Sequence, residues 1–472
     1  MSAVPRAPVE PAYDEAFAAP GTPRPHYAEL IDALCGMDLA RLRDAVNGRV
    51  RDAGVTFTTD EGTQAFVIDP VPRILPADEW QALAAGLEQR VRALSAFVAD
   101  AYGERRIVDA GVMPAEVIDS AEGYEPDLRG ALPSGGPPIG VAGLDVIRAP
   151  EGRLRVLEDN VRTPSGFTYA VAARDAVCSA LGGAVPDPAP VADRLLELLH
   201  ATLRAAAPEG GDPSIVVVSD GPGGSAWYEH AEVARCLGVP VVTVADLERH
   251  GDHLEVRLHN GRRRPVDVVY RRCNEDRLRD EHGRLTPIAE ALLDPWLAGR
   301  IGIVNAFGTG VADDKLVHGY VEEMVRFYLG ETALLEAVPT LDPRHDSVLE
   351  LVVEDLRGHV VKPRFGLGGK GVVVCAHADD ATLEDLRADL RREPGAYVAQ
   401  PIVALSQHPT VVDPGRLEPR HVDLRPFVFS TADGVHALPG GLTRVAWDPG
   451  ALVVNSSQNG GAKDTWVSTS SG

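Results

Sequence analysis

At 472 residues, with 44% hydrophobic and 24% charged side chains, the chain has the composition of a soluble globular protein of about three domains, with ample length for sizeable cores. A formal net charge of −23 sets nucleic acid and anionic membrane aside as main partners, since both would be repelled beyond a local basic patch, and leaves a small-molecule enzyme as the expectation. Five cysteines, Cys35, Cys178, Cys236, Cys273 and Cys375, are scattered without CxxC spacing; their odd number fits reduced thiols and implies neither a zinc site nor a disulfide framework.

The opening residues Met-Ser-Ala-Val-Pro-Arg-Ala-Pro-Val-Glu hold no apolar signal core, and no later run approaches about 18 uninterrupted apolar residues, so a cytoplasmic protein is expected. Residues 1–130 form a helix-rich N-terminal segment. Within it, Trp80, Leu83, Leu87, Val91, Leu94 and Val98 recur at helical spacing from Glu79 to Ala101, after a helix start at Pro76-Ala-Asp. That stripe reads as core. Gly54-Val-Thr-Phe-Thr and Ile74-Leu75 read as extended pieces.

Residues 131–183 carry a hairpin, Gly143 to Asn160, whose tight turn is centred on Glu151-Gly152. With those two residues as the loop, Pro150 pairs with Arg153, and counting outward sets Asp145 opposite Glu158. Asn160, two residues on, shares the face of Glu158, while Asp159 points the other way. Opposed carboxylates repel unless a cation lies between them, and two carboxylates with an amide oxygen suit a hard cation, Mg²⁺ first. A solvated hairpin edge is the competing reading of this stretch alone. The loop Arg162-Thr-Pro-Ser-Gly166 follows, where Arg162, Thr163, Ser165 and backbone amides can hold phosphate or carboxylate oxygens, or make an ordinary turn.

Residues 184–300 open with a Pro-rich linker and a helix over 194–206. They continue as a βαβ unit: strand Ile215-Val-Val-Val, loop Asp220-Gly-Pro-Gly-Gly-Ser225, a helix near Tyr228 to Leu237, and a strand from Val239. The loop lies where ligands enter α/β sheets but lacks the GxGxxG spacing, so it reads as a substrate wall. Glu229 and His230 either touch substrate or, as the plainer description, lie on the surface of the helix. Val266 to Arg271 reads as a third strand.

Residues 301–472 hold the lysines. Of 46 basic residues only four are lysine: Lys315, Lys362, Lys370 and Lys463. Where arginine replaces lysine almost everywhere, a surviving lysine marks a place for a compact, rotatable ammonium; chance survival is the alternative. Lys315 ends Gly308-Thr-Gly-Val-Ala-Asp-Asp-Lys before a helix from about Leu316, and Lys362 lies on the strand Gly358 to Pro363. Arg364-Phe-Gly-Leu-Gly-Gly-Lys-Gly371 and the strand Val372 to Cys375 follow. A strand, a glycine-rich turn and a strand admit a polyphosphate to backbone N–H groups while the strand lysine meets its charge, although this is not a P-loop. Ala396 to Val403, around Gln400, is strand-like and offers backbone groups to an adenine edge. His421 to Phe429 and Gly440 to Val445 are further strands. The polar, Gly-rich tail from Val453 reads as disordered, although Asn455, Lys463 and Trp466 are unusual residues for a mere tail.

A lysine before a helix, a lysine on a strand before a glycine-rich loop, a linker strand and an acidic residue paired with Glu-x-Asn together resemble the ATP-grasp superfamily. In the ordinary order Glu-x-Asn follows both lysines, whereas Glu158-Asp-Asn160 precedes Lys315 and Lys362. The chain therefore resembles the circularly permuted ATP-grasp family related to glutathionylspermidine synthase. The similarity extends to Tyr13-Asp-Glu-Ala-Phe, Val156 to Gly166, Val361-Lys-Pro-Arg-Phe-Gly366 and Val454-Asn-Ser-Ser-Gln.

The resemblance implies an α/β fold: a circularly permuted ATP-grasp fold with a Rossmann-like βαβ subdomain. It also implies ATP-dependent ligation of a carboxylate to an amine through an acylphosphate, releasing ADP and phosphate. Carried over, Lys315 and Lys362 bind ATP phosphates under Gly366, Gly368, Gly369, Lys370 and Gly371, the strand at Gln400 meets adenine, and Asp145, Glu158 and Asn160 hold Mg²⁺. Arg162 and Arg444 are the candidates for stabilising the transferred phosphoryl or the substrate carboxylate. The expected partners are small-molecule carboxylates and amines (amino acid, peptide or polyamine), the acidic chain leaning toward a cationic amine. A homo-oligomer stays open, as do a small-molecule phosphotransferase and an inactive nucleotide-binding scaffold.

Overall fold

A computed structural model describes residues 12–59, 62–133, 135–186, 188–208, 212–258, 260–275, 277–366, 371–451 and 460–468. The hairpin lies in the middle of a ten-stranded mixed sheet. Its main path runs Glu336–Ala337, Leu154–Asn160, Val141–Arg148, Arg416–Arg425, Leu442–Ala446, Gly460–Val467, Ile68–Leu75. Strand Val141–Arg148 is buried along its whole length, with its hairpin partner on one side and strands from far later in the chain on the other.

Asp145 does pair with Glu158, but not through a two-residue turn. Ala149 pairs with Arg153 around the three-residue loop Pro150-Glu151-Gly152, with Gly152 at φ 89°, where a Cβ would be strained and would crowd the Tyr13 ring. Arg148 pairs with Leu154 and Val146 with Val156, one residue out of the counted register. A β-bulge at Leu157 then restores it, so that Asp145 opposes Glu158 and Gly143 opposes Asn160. A longer loop and a bulge cancel.

Three further units surround this sheet. The parallel strands Gly302–Val304, Val268–Arg271, Ile215–Val218 and Val241–Val242 form a Rossmann-like layer whose continuous β-branched runs are buried on both faces. The expected strand from Val239 is only two residues long. The lysine strand His359–Pro363 lies between Val373–Val374 and Tyr397–Pro401 in an antiparallel sheet covered by helices Asp346–Glu354 and Asp380–Arg392. That layer has a small core of its own, with Val352, Leu356, Val361, Leu383, Leu390 and Ala399. The long N-terminal helix, Ala77–Tyr102, packs its stripe into the main core. The segment after Lys315 is irregular: a 3₁₀ turn Val317–Tyr320, one α turn Val321–Met324 and a π turn Val325–Leu329.

The tail departs from the disordered reading. Gly460–Val467 is a buried strand between Leu442–Ala446 and Ile68–Leu75. Its polar residues misled because their partners lie elsewhere: Lys463 is ion-paired with Asp69, and Asp464 with Arg174 at 2.7 Å. Residues 452–459, which include Asn455 and the whole of the matching Val454-Asn-Ser-Ser-Gln stretch, lie outside the described residues. Lys463→Met would leave the fully buried Asp69 carboxylate with only the backbone N–H groups of Val71 and Val411. Breaking a buried pair from one side costs about 3–5 kcal/mol, and denaturant unfolding of the variant is expected to show a loss of that size.

Candidate active site

One cavity of about 340 Å³ gathers the hairpin, the loop after it, the lysine strand, the linker strand and the C-terminal strands. Asp145, Glu158, Asn160, Arg162, Lys315, Lys362, Gly366, Gln400 and Arg444, separated by up to 300 positions in sequence, all line it. Gly371 does not; it packs against Pro363 at φ 75°. Gly368, Gly369 and Lys370 lie outside the described residues.

The cavity has an apolar slot and a charged centre. Val360 on the lysine strand, Val374, Val338, Ile402, Val403 and Leu405 form the slot, with Gln400 beside them. The Gln400 Nε2 donates to Thr340 Oγ1 at 3.0 Å, while its Oε1 is buried with no hydrogen-bond partner among the described residues. The Nδ2 of Asn160 is likewise buried and unpartnered. Orphaned buried polar atoms are costly, and both fit a site shaped for a polar ligand.

At the centre Lys315 bridges the hairpin and the glycine turn: its Nζ lies 3.1 Å from Glu158 Oε1 and donates to the Gly366 carbonyl at 3.3 Å. Lys362 is buried and makes no hydrogen bond or ion pair with the described residues. Burial pulls its ammonium below the ordinary lysine value, with Lys315 adding to the effect and Glu158 opposing it. An ammonium desolvated without a partner is an anion site held ready.

The arginines are arranged differently from the sequence reading. Arg425, not among the candidates, grips Asp145 with both ends of its guanidinium, at 2.7 and 2.9 Å. Arg444 reaches Asp145 at 2.9 Å and is also clamped to the buried Asp423. Its charge is thus shared between two carboxylates, a pairing that the sequence did not show. Burial alone would raise Asp145, but Arg425 and Arg444 outweigh it and hold the carboxyl down to about 2. Asp145 therefore enters the site as a charge already engaged. Arg162 stands on the cavity wall with its backbone N–H directed to Asp313 at 3.3 Å. Burial pushes the Asp313 carboxyl up to about 6, against the pull of Arg162 and with Glu158 adding.

Several residues that shape the site carried no local signal. The Asn305 Oδ1 accepts from Gly140 and Val141, and its Nδ2 donates to the carbonyls of Val141, Val161 and Arg162, tying the start of the hairpin to its end. The only sequence hint is its place just beyond a parallel strand. Asp159, on the far side of the Glu158 strand, is buried against Arg90 at 2.6 Å and His318 at 2.6 Å, so it couples the hairpin to the segment after Lys315. Glu229 and His230 are buried, contrary to the surface reading. Glu229 accepts from the backbone N–H groups of Gly166 and Thr168 and pairs with Arg272 at 2.9 Å. Arg272 in turn donates to the Pro164 carbonyl and to Ser165 Oγ, clamping the loop on the cavity wall. His230 faces Ser219 Oγ at 2.8 Å, and burial pushes it down to about 2.

Among the described residues no group of three or more His, Cys, Asp or Glu side chains could hold a metal ion by itself. The Glu158 carboxylate and the Asn160 amide on the cavity wall are hard oxygen donors of the kind that Mg²⁺ takes from a protein when substrate phosphates supply the rest. Glu158, with the amide of Asn160 beside it and Lys315 and Lys362 across from it, is the group that would share a cation with a polyphosphate.

Residues 72–446 match the family described as circularly permuted ATP-grasp type 2. The chain belongs to that family. It is 42% identical over 466 residues to a Frankia alni protein named "Putative glutamate--cysteine ligase 2-3", covering 96% of this chain and 54% of that protein. A Frankia casuarinae protein named "Putative glutamate--cysteine ligase 2-2" is 42% identical over 468 residues, covering 96% and 53%. The ATP-grasp chain thus spans about half the length of these two relatives. An uncharacterized Synechocystis protein is 38% identical over 470 residues, with 96% of both chains covered. The structure of a glutathione synthetase-like effector from Globodera pallida, in apo form, superposes with a TM-score of 0.59 at 12% identity, over 91% of this chain and 97% of that one. It shares the fold. No helix among the described residues is long and apolar enough to cross a membrane.

Proposed function

We propose that this ATP-grasp protein is a carboxylate–amine ligase that activates its acid as an acylphosphate and releases ADP and phosphate. The observation that carries the reading is Lys362, a buried ammonium without a partner among the described residues, set with Lys315 against Glu158 and Asn160 beside an apolar slot at Gln400, whose oxygen is likewise unpartnered among them. The adenine would lie in the slot, with Lys315 and Lys362 on the phosphates under the turn at Gly366. Glu158 and Asn160, with Asp145 behind them, would hold Mg²⁺, which supplies charge neutralisation on the phosphoryl oxygens. A substrate carboxylate oxygen attacks the γ-phosphorus and the bond to ADP breaks. The amine nitrogen then attacks the acyl carbon, loses a proton, and phosphate leaves. Arg162 and Arg425 on the cavity wall, the latter held in place by Asp145, would orient the acid.

The test follows ATP, ADP, AMP and phosphate while pooled carboxylates and pooled amines are supplied together and separately, with Mg²⁺ or with a chelator. Glutamate with cysteine, the pair in the names of the Frankia relatives, is one arm. ADP and phosphate appearing only with both pools and Mg²⁺ is the expected result. ADP without free phosphate or amine would make the protein a phosphotransferase, and AMP would exclude the acylphosphate route.

A further inference from the structure

Beyond the charged centre the cavity ends in a wall of Phe57, Phe66 and Tyr169, closed by Ser225 and Ala226. Phe57 is half-buried on the antiparallel pair Thr56–Thr59 and Gly62–Ala65, and Phe66 follows it. Tyr169 lies one helical turn after Ser165, in the first turn of helix Phe167–Leu181. The Phe66 and Tyr169 ring centroids are 4.6 Å apart and those of Phe57 and Tyr169 6.2 Å. The Tyr169 hydroxyl donates to the Thr56 carbonyl at 2.9 Å; Tyr169 and Phe66 are themselves buried and back the half-buried Phe57, meeting the cavity only where they line it. The Thr58 N–H donates to the Ser225 carbonyl at 3.0 Å, which fastens this wall to the Rossmann-like layer.

The charge lining the same cavity selects among substrates. Arg162, Lys315, Lys362, Arg425 and Arg444 face Asp145, Glu158, Asp313 and Asp423, and each of these four carboxylates already has a partner. Asp145 has Arg425 and Arg444, Asp423 has Arg444, Glu158 has Lys315, and Asp313 accepts the backbone N–H of Val161 at 2.7 Å. Of the four only Asp313 has no ion pair among the described residues, and burial raises its carboxyl, so little free negative charge faces a cationic amine such as a polyamine here, although the whole chain carries −23. Arg425 also donates to the Ser165 carbonyl at 3.4 Å, which places a guanidinium next to the loop that leads to Tyr169.

Resting on the ligase reading, we infer that the acid substrate is an amino-acid or peptide carboxylate with an apolar, aromatic-sized side chain. Its carboxylate meets the Arg162 and Arg425 side of the centre and its side chain packs on Phe57, Phe66 and Tyr169. These three rings set specificity and take no part in phosphoryl transfer.

The experiment uses the full chain, Mg-ATP and hydroxylamine as the amine, so that any acylphosphate is trapped as a hydroxamate whatever the natural amine is. N-acetylphenylalanine and N-acetylleucine are expected to exceed N-acetylalanine and glutamate in kcat/KM by about ten- to hundredfold. Phe57→Ala is expected to erase that preference while leaving the KM for ATP unchanged. A preference for glutamate, or a Phe57→Ala effect equal on every acid, would overturn the inference and leave the ligase reading standing. If no acid yields hydroxamate the ligase reading falls, and calorimetry with N-acetylphenylalanine against glutamate then decides the aromatic site separately. Binding lost in Phe57→Ala would support the site, and no binding would reject it.

Discussion

Glu158→Ala is expected to lower ATP-dependent turnover about a thousandfold while the protein stays folded. A cation on transferring phosphoryl oxygens supplies several kcal/mol of transition-state stabilisation, and about 4 kcal/mol corresponds to that factor. The fold is spared because Glu158 is partly exposed and its one ion partner among the described residues is Lys315, itself at the cavity. The check pairs single-turnover rates with thermal unfolding. Activity within tenfold of wild type would remove Glu158 from the cation set, and a melted protein would show that the residue is structural.

Lys362→Met is expected to act in opposite directions on stability and on binding. In the free protein the Lys362 ammonium is desolvated among the described residues without a hydrogen bond, so an isosteric apolar side chain relieves a cost and raises resistance to denaturant. Nucleotide affinity is expected to fall about ten- to hundredfold, the loss of a charge-assisted contact worth about 1.5–3 kcal/mol. Calorimetric titration with a non-hydrolysable ATP analogue measures one effect and denaturant unfolding the other. Unchanged nucleotide affinity would contradict the strand-lysine role. The contrast with Lys463 makes the point sharper: both lysines are buried, but Lys463 has Asp69, so the same substitution there is expected to destabilise.

Lysine scarcity singled out Lys315, Lys362, Lys370 and Lys463 alike, without distinguishing the two that line the cavity, Lys315 and Lys362, from Lys463 in the core. The hairpin shows how local reasoning can arrive by the wrong route. The alternation of Asp145 with Leu144 and of Glu158 with Asp159 was readable, since side chains alternate along any strand. The three-residue loop and the bulge at Leu157 were not, because an inserted residue costs nothing in pattern until the partner strand is seen. Glu229 looked like a helix-surface residue because Arg272 and the N–H groups of Gly166 and Thr168, which accept its burial, stand 43 to 63 positions away.

The helix and strand periods, the lysine positions and the permuted order of Glu-x-Asn before both lysines were all legible along the chain. All of these are carried by composition or by neighbours along the chain. Only the tertiary structure decided which charges are spent and which are held in reserve. Arg425 meets Asp145 across 280 positions, Asp159 meets Arg90 and His318 on the hairpin's far side, and Lys362 meets no partner among the described residues. An arginine or an aspartate reads the same in a sequence whether or not it is paired, and it is the low-dielectric packing of distant strands that assigns each its partner.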